Sequence, residues 1–459
     1  MKQNISAEEQ YNKMVNTPVS KLIATLAIPT VISMLVTSLY NMADTFFVSH
    51  INTQASAAVG IVFPIMSIIQ ACGFTLGMGS GSLVSIRLGQ KRDEEASSIA
   101  STALFSALGI GLLITIFGNL FANQFLSLVG ASESVLPYAK DYAKFIFWGA
   151  PFMCASFVLN NVLRSEGKAF FSMIALTSGG IINIILDPIL IYGLKLGISG
   201  AAIATLISQF IGFCILLSWF LRRKAVCRMT IKYFKATKEI LGKTVTTGLP
   251  SLARQGLASI ATILLNTTAG TYGDEAVAAM SIATKIVMFV ASMMIGIGQG
   301  FTPVSGYNYG AKRYDRVKAA YKFMVLSGFT VMAFFSIIIF IFARQVLEAF
   351  INDKAAVAIG VVALRWQVAF IPFHPFIVGT NMLMQSTRHV KQATFLSMNR
   401  QGVYFIPAIL ILPHFLGLTG VEISQAVADI LSVFTAIPYL TWFFKKINKM
   451  IETEQSKLD

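Results

Sequence analysis

Residues 183 to 190 read Asn-Ile-Ile-Leu-Asp-Pro-Ile-Leu, inside an apolar run from Phe170 to Tyr192. About 20 apolar residues suffice to cross a bilayer, so the run places the carboxylate of Asp187 at a depth where charge is costly. An acid in a membrane span marks a functional site by default. Asn183 lies four residues earlier, on the same helix face. Pro188 has no N–H to give to the carbonyl of Ile184, which leaves a free oxygen nearby. A second acid, Asp44, lies in Asn41-Met-Ala-Asp-Thr-Phe-Phe, near the end of the first apolar run. Carboxylates, an amide oxygen and a free carbonyl make an all-oxygen set that suits a hard cation such as Na+. An apolar cavity also favours the neutral form of a carboxylate, so the same groups suit a proton. The bland alternative is that both acids are interfacial and cap span ends.

The elements that must hold these residues follow from composition. The 459 residues are 55% hydrophobic and only 12% charged, with a mean hydropathy of +0.69. Soluble domains carry about 25% charged residues, so the chain reads as an all-α integral membrane protein with no separate soluble domain. Apolar runs predict twelve transmembrane helices, near 20–48, 56–86, 96–122, 135–162, 169–192, 198–221, 245–270, 277–306, 319–343, 356–385, 393–414 and 420–444. Residues 1–20 lack the pattern of a cleavable signal peptide.

The net charge of +15 does not point to nucleic acid, because the basic residues sit in short turns between spans. Lys2, Lys13 and Lys21 precede span 1. Arg87, Lys91 and Arg92 follow span 2, Arg164 and Lys168 follow span 4, and Arg222-Arg223-Lys224 follow span 6. Lys312, Arg313, Arg316 and Lys318 follow span 8, Arg388 and Lys391 follow span 10, and Lys445, Lys446 and Lys449 follow span 12. The opposite turns hold little beyond Lys195, Arg344 and Lys354. This bias predicts a multi-pass protein of the inner or plasma membrane with both termini cytoplasmic and membrane lipids as neighbours. The four cysteines, Cys72, Cys154, Cys214 and Cys227, show no metal or disulfide spacing.

Orientation sets depth. Spans 1 and 5 run outward, so Asp44 and Asp187 fall in the outer leaflet. Thr205 in span 6 and Tyr142 in span 4 lie at a similar level. The predicted cation or proton site is therefore Asp44, Tyr142, Asn183, Asp187 and Thr205, with no other metal site.

The chain also repeats itself. At an offset of 221 residues Pro29 meets Pro250, Gly77 and Gly79 meet Gly298 and Gly300, and Gly89, Lys91 and Arg92 meet Gly310, Lys312 and Arg313. Six spans per half is an even number, so the halves are parallel repeats with a cavity expected between them. The predicted organisation is an N-terminal six-helix lobe (1–221), a basic cytoplasmic linker (222–243), and a C-terminal six-helix lobe with a short cytoplasmic tail (244–459). Asp44 maps onto Leu265; later in the repeat the offset drifts, and Asp187, aligned through Pro188 and Pro413, maps onto Leu412, so any ion site is one-sided. The glycines of spans 2 and 8 read as close packing, and Pro29 and Pro188 as candidate hinges.

The second half carries other charges. Arg254 and Arg400 read as snorkelling side chains. Lys285 and Arg365 are deeper; each either pairs with a carboxylate or faces a substrate cavity, and Asp429 is their partner or a cavity anion. Gln70 and Gln299 add polar groups to such a cavity. The four histidines are dispersed and no phosphate-binding loop is present, so neither an enzyme nor a primary pump is indicated.

Twelve spans in two parallel repeats, Asp44 in span 1, the 183–190 motif, the Leu-Gly-Ile-Ser-Gly-Ala-Ala turn at 196–202 and the glycine-basic turns at 88–94 and 309–315 together resemble the multidrug and toxic compound extrusion (MATE) family. The closest likeness is to its prokaryotic branch related to DinF and MepA. The resemblance implies a secondary efflux transporter needing no cofactor. It would move small amphipathic, often cationic compounds against H+ or Na+ by alternating access. Its N-terminal-half cation site would fall on Asp44, Tyr142, Asn183, Asp187 and Thr205. Some members also carry acids in spans 7, 8 or 10, where this chain has Arg254, Lys285 and Arg365. Those cations keep open a second reading, a flippase for a lipid-linked intermediate. Substrate identity and oligomeric state are not legible.

Overall fold

The computed structural model describes residues 7–350 and 353–456; Lys2 of the basic tail lies outside them. The described chain is helical almost throughout, with no strand among the described residues. A short helix, α1 (Ala7–Asn16), precedes α2 (Val19–Ser49), α3 (Thr53–Gly89), α4 (Asp93–Leu120), α5 (Ala122–Leu128), α6 (Leu136–Ser165), α7 (Ala169–Pro188) and α8 (Gly197–Leu221). The second half holds α9 (Lys238–Gly270), α10 (Asp274–Gly310), α11 (Tyr314–Ile341), α12 (Ala343–Glu348), α13 (Lys354–Phe370), α14 (His374–Ser386), α15 (Val390–Met398), α16 (Ile406–Leu416) and α17 (Leu418–Gln455). Caps set several starts: Asn52 accepts the Ala55 N–H at 2.7 Å, and Asp353 accepts those of Ala355 and Ala356 at 2.7 and 2.9 Å.

Eleven helical stretches among the described residues are long and apolar enough to cross a membrane, against twelve expected. The missing one is α9. Its 33 residues have the length, but Arg254, Gln255 and a run of threonines dilute its hydropathy. It packs all the same, along α3 and α15.

Three interruptions mark the spans. After Pro188 the helix widens into a π segment, Ile189–Gly193. A 3-10 turn at Ile371–Phe373 separates α13 from α14, and a π segment at Asn399–Phe405 separates α15 from α16. Helix breaks of this kind leave backbone groups free and concentrate at functional sites.

The two halves meet along α2 with α10 and α3 with α9, and the ends of α3 and α10 cross. Glycines make the approach possible. A Cβ on Gly79 would strike the carbonyl of Thr244 and stand 3.0 Å from Gly248 N; one on Gly300 would strike Ala27. Positions 79 and 300, like 27 and 248, are repeat partners, so the seam is built twice. At the crossing, Gly89 abuts Tyr307 and Gly310 abuts Ile86, again repeat partners exchanged. All these contacts lie toward the face that carries the basic turns, called the basic face below. Gly79, Gly89, Gly300 and Gly310 thus pack backbone on backbone, whereas Gly73 and Gly298 face the Phe157 and Met382 side chains.

Residues 222–237 are not a loose tether. Their backbone is tied to α4, where Ser98 donates to Tyr233 O and Ser101 to Arg228 O, both at 2.9 Å, and Thr102 accepts from Lys235 N at 3.1 Å. Residues 238–243, read as linker, already form the first turns of α9.

Candidate functional site

The site is built on α2, α6, α7 and α8. Near the end of α2, Asp44 receives the Tyr142 hydroxyl of α6 at 3.4 Å on Oδ2. One turn before the proline of α7, the Asn183 amide nitrogen reaches Asp187 Oδ1 at 3.5 Å and Thr205 Oγ1 of α8 at 3.4 Å. Tyr142 and Asp187 are fully buried, Asn183 and Thr205 nearly so, and Asp44 is half-buried. The two acids lie within electrostatic range of each other. Three oxygens here are buried without a donor: Asp44 Oδ1, Asn183 Oδ1 and Asp187 Oδ2. Buried polar atoms nearly always find partners, and three orphaned acceptors in one cluster make a donor set for a positive charge.

Beneath the cluster lies a cavity of about 130 Å³, walled by α2, α3, α6, α7 and α8. It sits within the N-terminal half. Asn41, Gln70, Asn160, Asn183, Thr205 and Gln209 give it amide and hydroxyl groups, while Met34, Phe74, Met153 and Phe157 give it adaptable apolar walls. Amphipathic ligands fit a lining of this composition.

Arg164, read as a loop cation, instead closes this cavity toward the basic face. It lies in the last turn of α6, 5% exposed. Its guanidinium donates to Asn161 Oδ1 at 2.8 Å and to Gln299 Oε1 on α10, across the seam. No carboxylate among the described residues pairs with it. The helix runs three residues past the predicted end of span 4, which turns a surface charge into a buried one. Gln299 is thus a partner of Arg164 in the seam, lining a void of about 10 Å³ there, whereas Gln70 lines the larger cavity beneath the acids.

The second half departs from expectation in its charges. Asp429 pairs with neither Lys285 nor Arg365, and is no free cavity anion. It takes Arg400 Nε at 2.6 Å, His374 Nε2 at 3.1 Å and Gln425 Nε2 at 3.1 Å. The π segment carries Arg400, and its guanidinium points into the bundle rather than snorkelling. The 3-10 turn likewise delivers His374, which sequence reading had passed over. Arg365 is exposed; its guanidinium lies 5.4 Å from the Phe340 ring and donates to Phe340 O at 3.3 Å, capping the last turn of α11. Lys285 is exposed on α10 with no ion pair to a described residue. Arg254 is half-buried and likewise unpaired.

Pro29 lies buried inside an unbroken α2, where Thr30, Ser33 and Thr37 hydroxyls bond back to carbonyls four residues earlier. Such back-bonding eases helix bending. Pro188, next to Asp187, ends α7 and immediately precedes the π segment.

Comparison with known proteins places this geometry. The family model MatE matches the chain twice, at 29–189 and 250–410, the same 221-residue spacing as the repeat. The multidrug export protein MepA of Staphylococcus haemolyticus is 28% identical over 94% of this chain and 95% of its own. An outward-facing structure of a multidrug resistance MATE family transporter of the MOP superfamily superposes with a TM-score of 0.90 at 30% identity, covering 96% of this chain and 98% of that one. A crystal structure of a MATE protein in complex with MaL6 gives a TM-score of 0.90 at 31% identity, covering 96% and 99%. With both halves matched and the two-lobed helical architecture shared, the chain belongs to the MatE family of membrane transporters.

Proposed function

We propose that this transporter exports small amphipathic organic compounds, cationic ones included, in exchange for H+ or Na+. The observation that carries the reading is the trio of donor-less oxygens on Asp44, Asn183 and Asp187, set above an apolar-walled cavity with amide groups. The name of the staphylococcal relative, a multidrug export protein, supports the substrate class.

The basic face is cytoplasmic on this reading, and the membrane is the plasma membrane. The lobes, 1–221 and 244–459 about the 222–243 linker, are then closed toward the cytoplasm, as in the outward-facing relative. One positive charge arriving from outside satisfies the orphaned oxygens, with Tyr142 bonded to Asp44 and Thr205 bonded to Asn183, whose amide also reaches Asp187. Lowering the negative charge on the two acids lets α2 and α7 repack around the cavity, bending at Pro29 and Pro188, and substrate leaves outward. Return of the lobes releases the ion inside.

The flippase alternative rested on Lys285 and Arg365. Arg365 is engaged with Phe340, which leaves Lys285 alone to meet a lipid-linked anion.

The test uses proteoliposomes with an outward-positive ion gradient and a fluorescent cationic substrate. Asp187→Asn and Asp44→Asn are each expected to lower exchange by at least about a hundredfold, as loss of an essential charge does, while remaining monodisperse. Full exchange by both variants refutes the site. Replacing external Na+ with choline at fixed pH separates the two ions: lost exchange means Na+, unchanged exchange means H+.

A further inference from the structure

A second cavity, of about 490 Å³, opens on the basic face where α3 and α10 cross. Three cationic side chains line it: Lys91 and Arg92 from the first half and Lys312 from the second. Three tyrosines, Tyr11, Tyr309 and Tyr314, complete the wall. The cup is symmetric in origin. Gly89 and Gly310, Gln90 and Ala311, and Lys91 and Lys312 are all repeat partners, and all line it. Lys91 and Lys312 both adopt left-handed backbone, with φ of 58° and 59°. That conformation costs a non-glycine residue about 1 kcal/mol, and it recurs here at two related positions. The Lys91 ammonium is held 4.5 Å over the Tyr11 ring and has no ion pair to a carboxylate among the described residues. Lys312 is bridged to Glu454 at 3.1 Å, and Arg92 to Glu95 at 3.4 Å; both carboxylates come from outside the lining.

We propose that this cup binds a phosphate group, and that the bound phosphate clamps the two lobes together at the basic face. Converging ammonium and guanidinium groups with phenol hydroxyls match the charge and acceptor oxygens of phosphate. The lining is shared between halves that must separate at this crossing for the basic face to open. A ligand held by both halves exists only in the closed form, so its binding shifts the population toward closure. The donor is either a soluble phosphorylated molecule or the headgroup of an anionic lipid. The clamp rests on the alternating-access reading above; the binding site does not.

The test uses the full chain in phosphatidylcholine nanodiscs in phosphate-free buffer, with pyrophosphate as the soluble probe. Saturable pyrophosphate binding is expected, weakened at least about tenfold in Lys91→Gln/Lys312→Gln and retained in Lys91→Arg/Lys312→Arg. Glu454→Gln frees Lys312 and is expected to tighten it. In nanodiscs containing phosphatidylglycerol, competition against pyrophosphate identifies the lipid headgroup as the occupant; unchanged pyrophosphate affinity identifies a soluble one. No binding in either membrane, or equal affinity in wild type and the glutamine pair, overturns the site. Spin labels on cysteines at Arg223 and Lys445 then report the clamp: pyrophosphate should enrich the short distance in wild type and not in the glutamine pair. Binding without a distance change overturns the clamp. Asp187→Asn, in which exchange fails on the export reading, should still bind pyrophosphate as wild type does, so failure of one proposal is separable from failure of the other.

Discussion

Two buried acids of this protein have opposite surroundings. Asp429 is saturated by Arg400, His374 and Gln425; Asp187 keeps an oxygen with no donor. Their substitutions should therefore behave oppositely. Asp429→Ala strands a largely buried guanidinium and is expected to cost about 3–5 kcal/mol, as breaking a buried pair does. Asp187→Asn replaces an under-satisfied acid with a neutral isostere and should change stability by less than about 1 kcal/mol while removing exchange. Thermal unfolding of both variants in detergent checks this; equal destabilisation would mean that Asp187 is also a structural pair. Asp187 was visible in the sequence because an acid in an apolar run is conspicuous. Asp429 was equally visible, but its partners were not. Arg400 and His374 reach it only because two helix breaks redirect them: Pro372 and Pro375 mark the first break but not the direction His374 takes, and the second, Asn399–Phe405, holds no proline.

At the level of elements, the linker shows how a surface segment becomes structural. Glu166, in the turn after α6, is fully buried. Its carboxylate accepts the Val226 and Cys227 N–H groups at 2.9 and 2.8 Å and pairs with Lys168 at 3.1 Å. Cys227 is buried beside it, and that burial, with the Glu166 charge, pushes its thiol well above the usual 9. A thiol in that state is nearly all protonated at neutral pH and inert. Wild-type Cys227 should thus resist maleimide at pH 7.5. Glu166→Ala removes the acceptor of two buried N–H groups and the partner of Lys168, so the strap should lift and Cys227 should label. Peptide mass spectrometry separates it from exposed Cys214, and an unlabelled Cys227 in the variant would count against the strap. Charge counting had placed Arg164 and Lys168 in a solvated loop; both are buried, because the helix and the strap extend over them.

Across the whole molecule, the lobes are joined at the basic face by a seam that the repeat builds twice. Gly79 against Thr244 and Gly248, and Gly300 against Ala27, leave no room for a side chain. Arg164 to Gln299 adds a polar tie between α6 and α10. Gly79→Val and Gly300→Val should each wedge the seam open on that face without unfolding either lobe. A cysteine at Ser82, 1% exposed beside the Arg164–Gln299 contact, should then alkylate about tenfold faster or more. That factor corresponds to a population shift of about 1.4 kcal/mol. Unchanged labelling in both variants would show that the glycines merely fill space.

Hydropathy, the basic turns and a constant 221-residue offset were enough to establish an all-helical, two-lobed membrane protein, because a bilayer imposes span length and charge bias directly on composition. The same logic picked out Asp44, Tyr142, Asn183, Asp187 and Thr205 by depth, since position along a span is position across the membrane. Facing is another matter. Which side of α10 carries Lys285, which way Arg365 and Arg400 point, and that Arg164 and Glu166 lie inside rather than outside depend on helix rotation, on breaks at 371–373 and 399–405, and on where the second half docks. Those are settled by packing between segments hundreds of residues apart, and only the tertiary structure decided them.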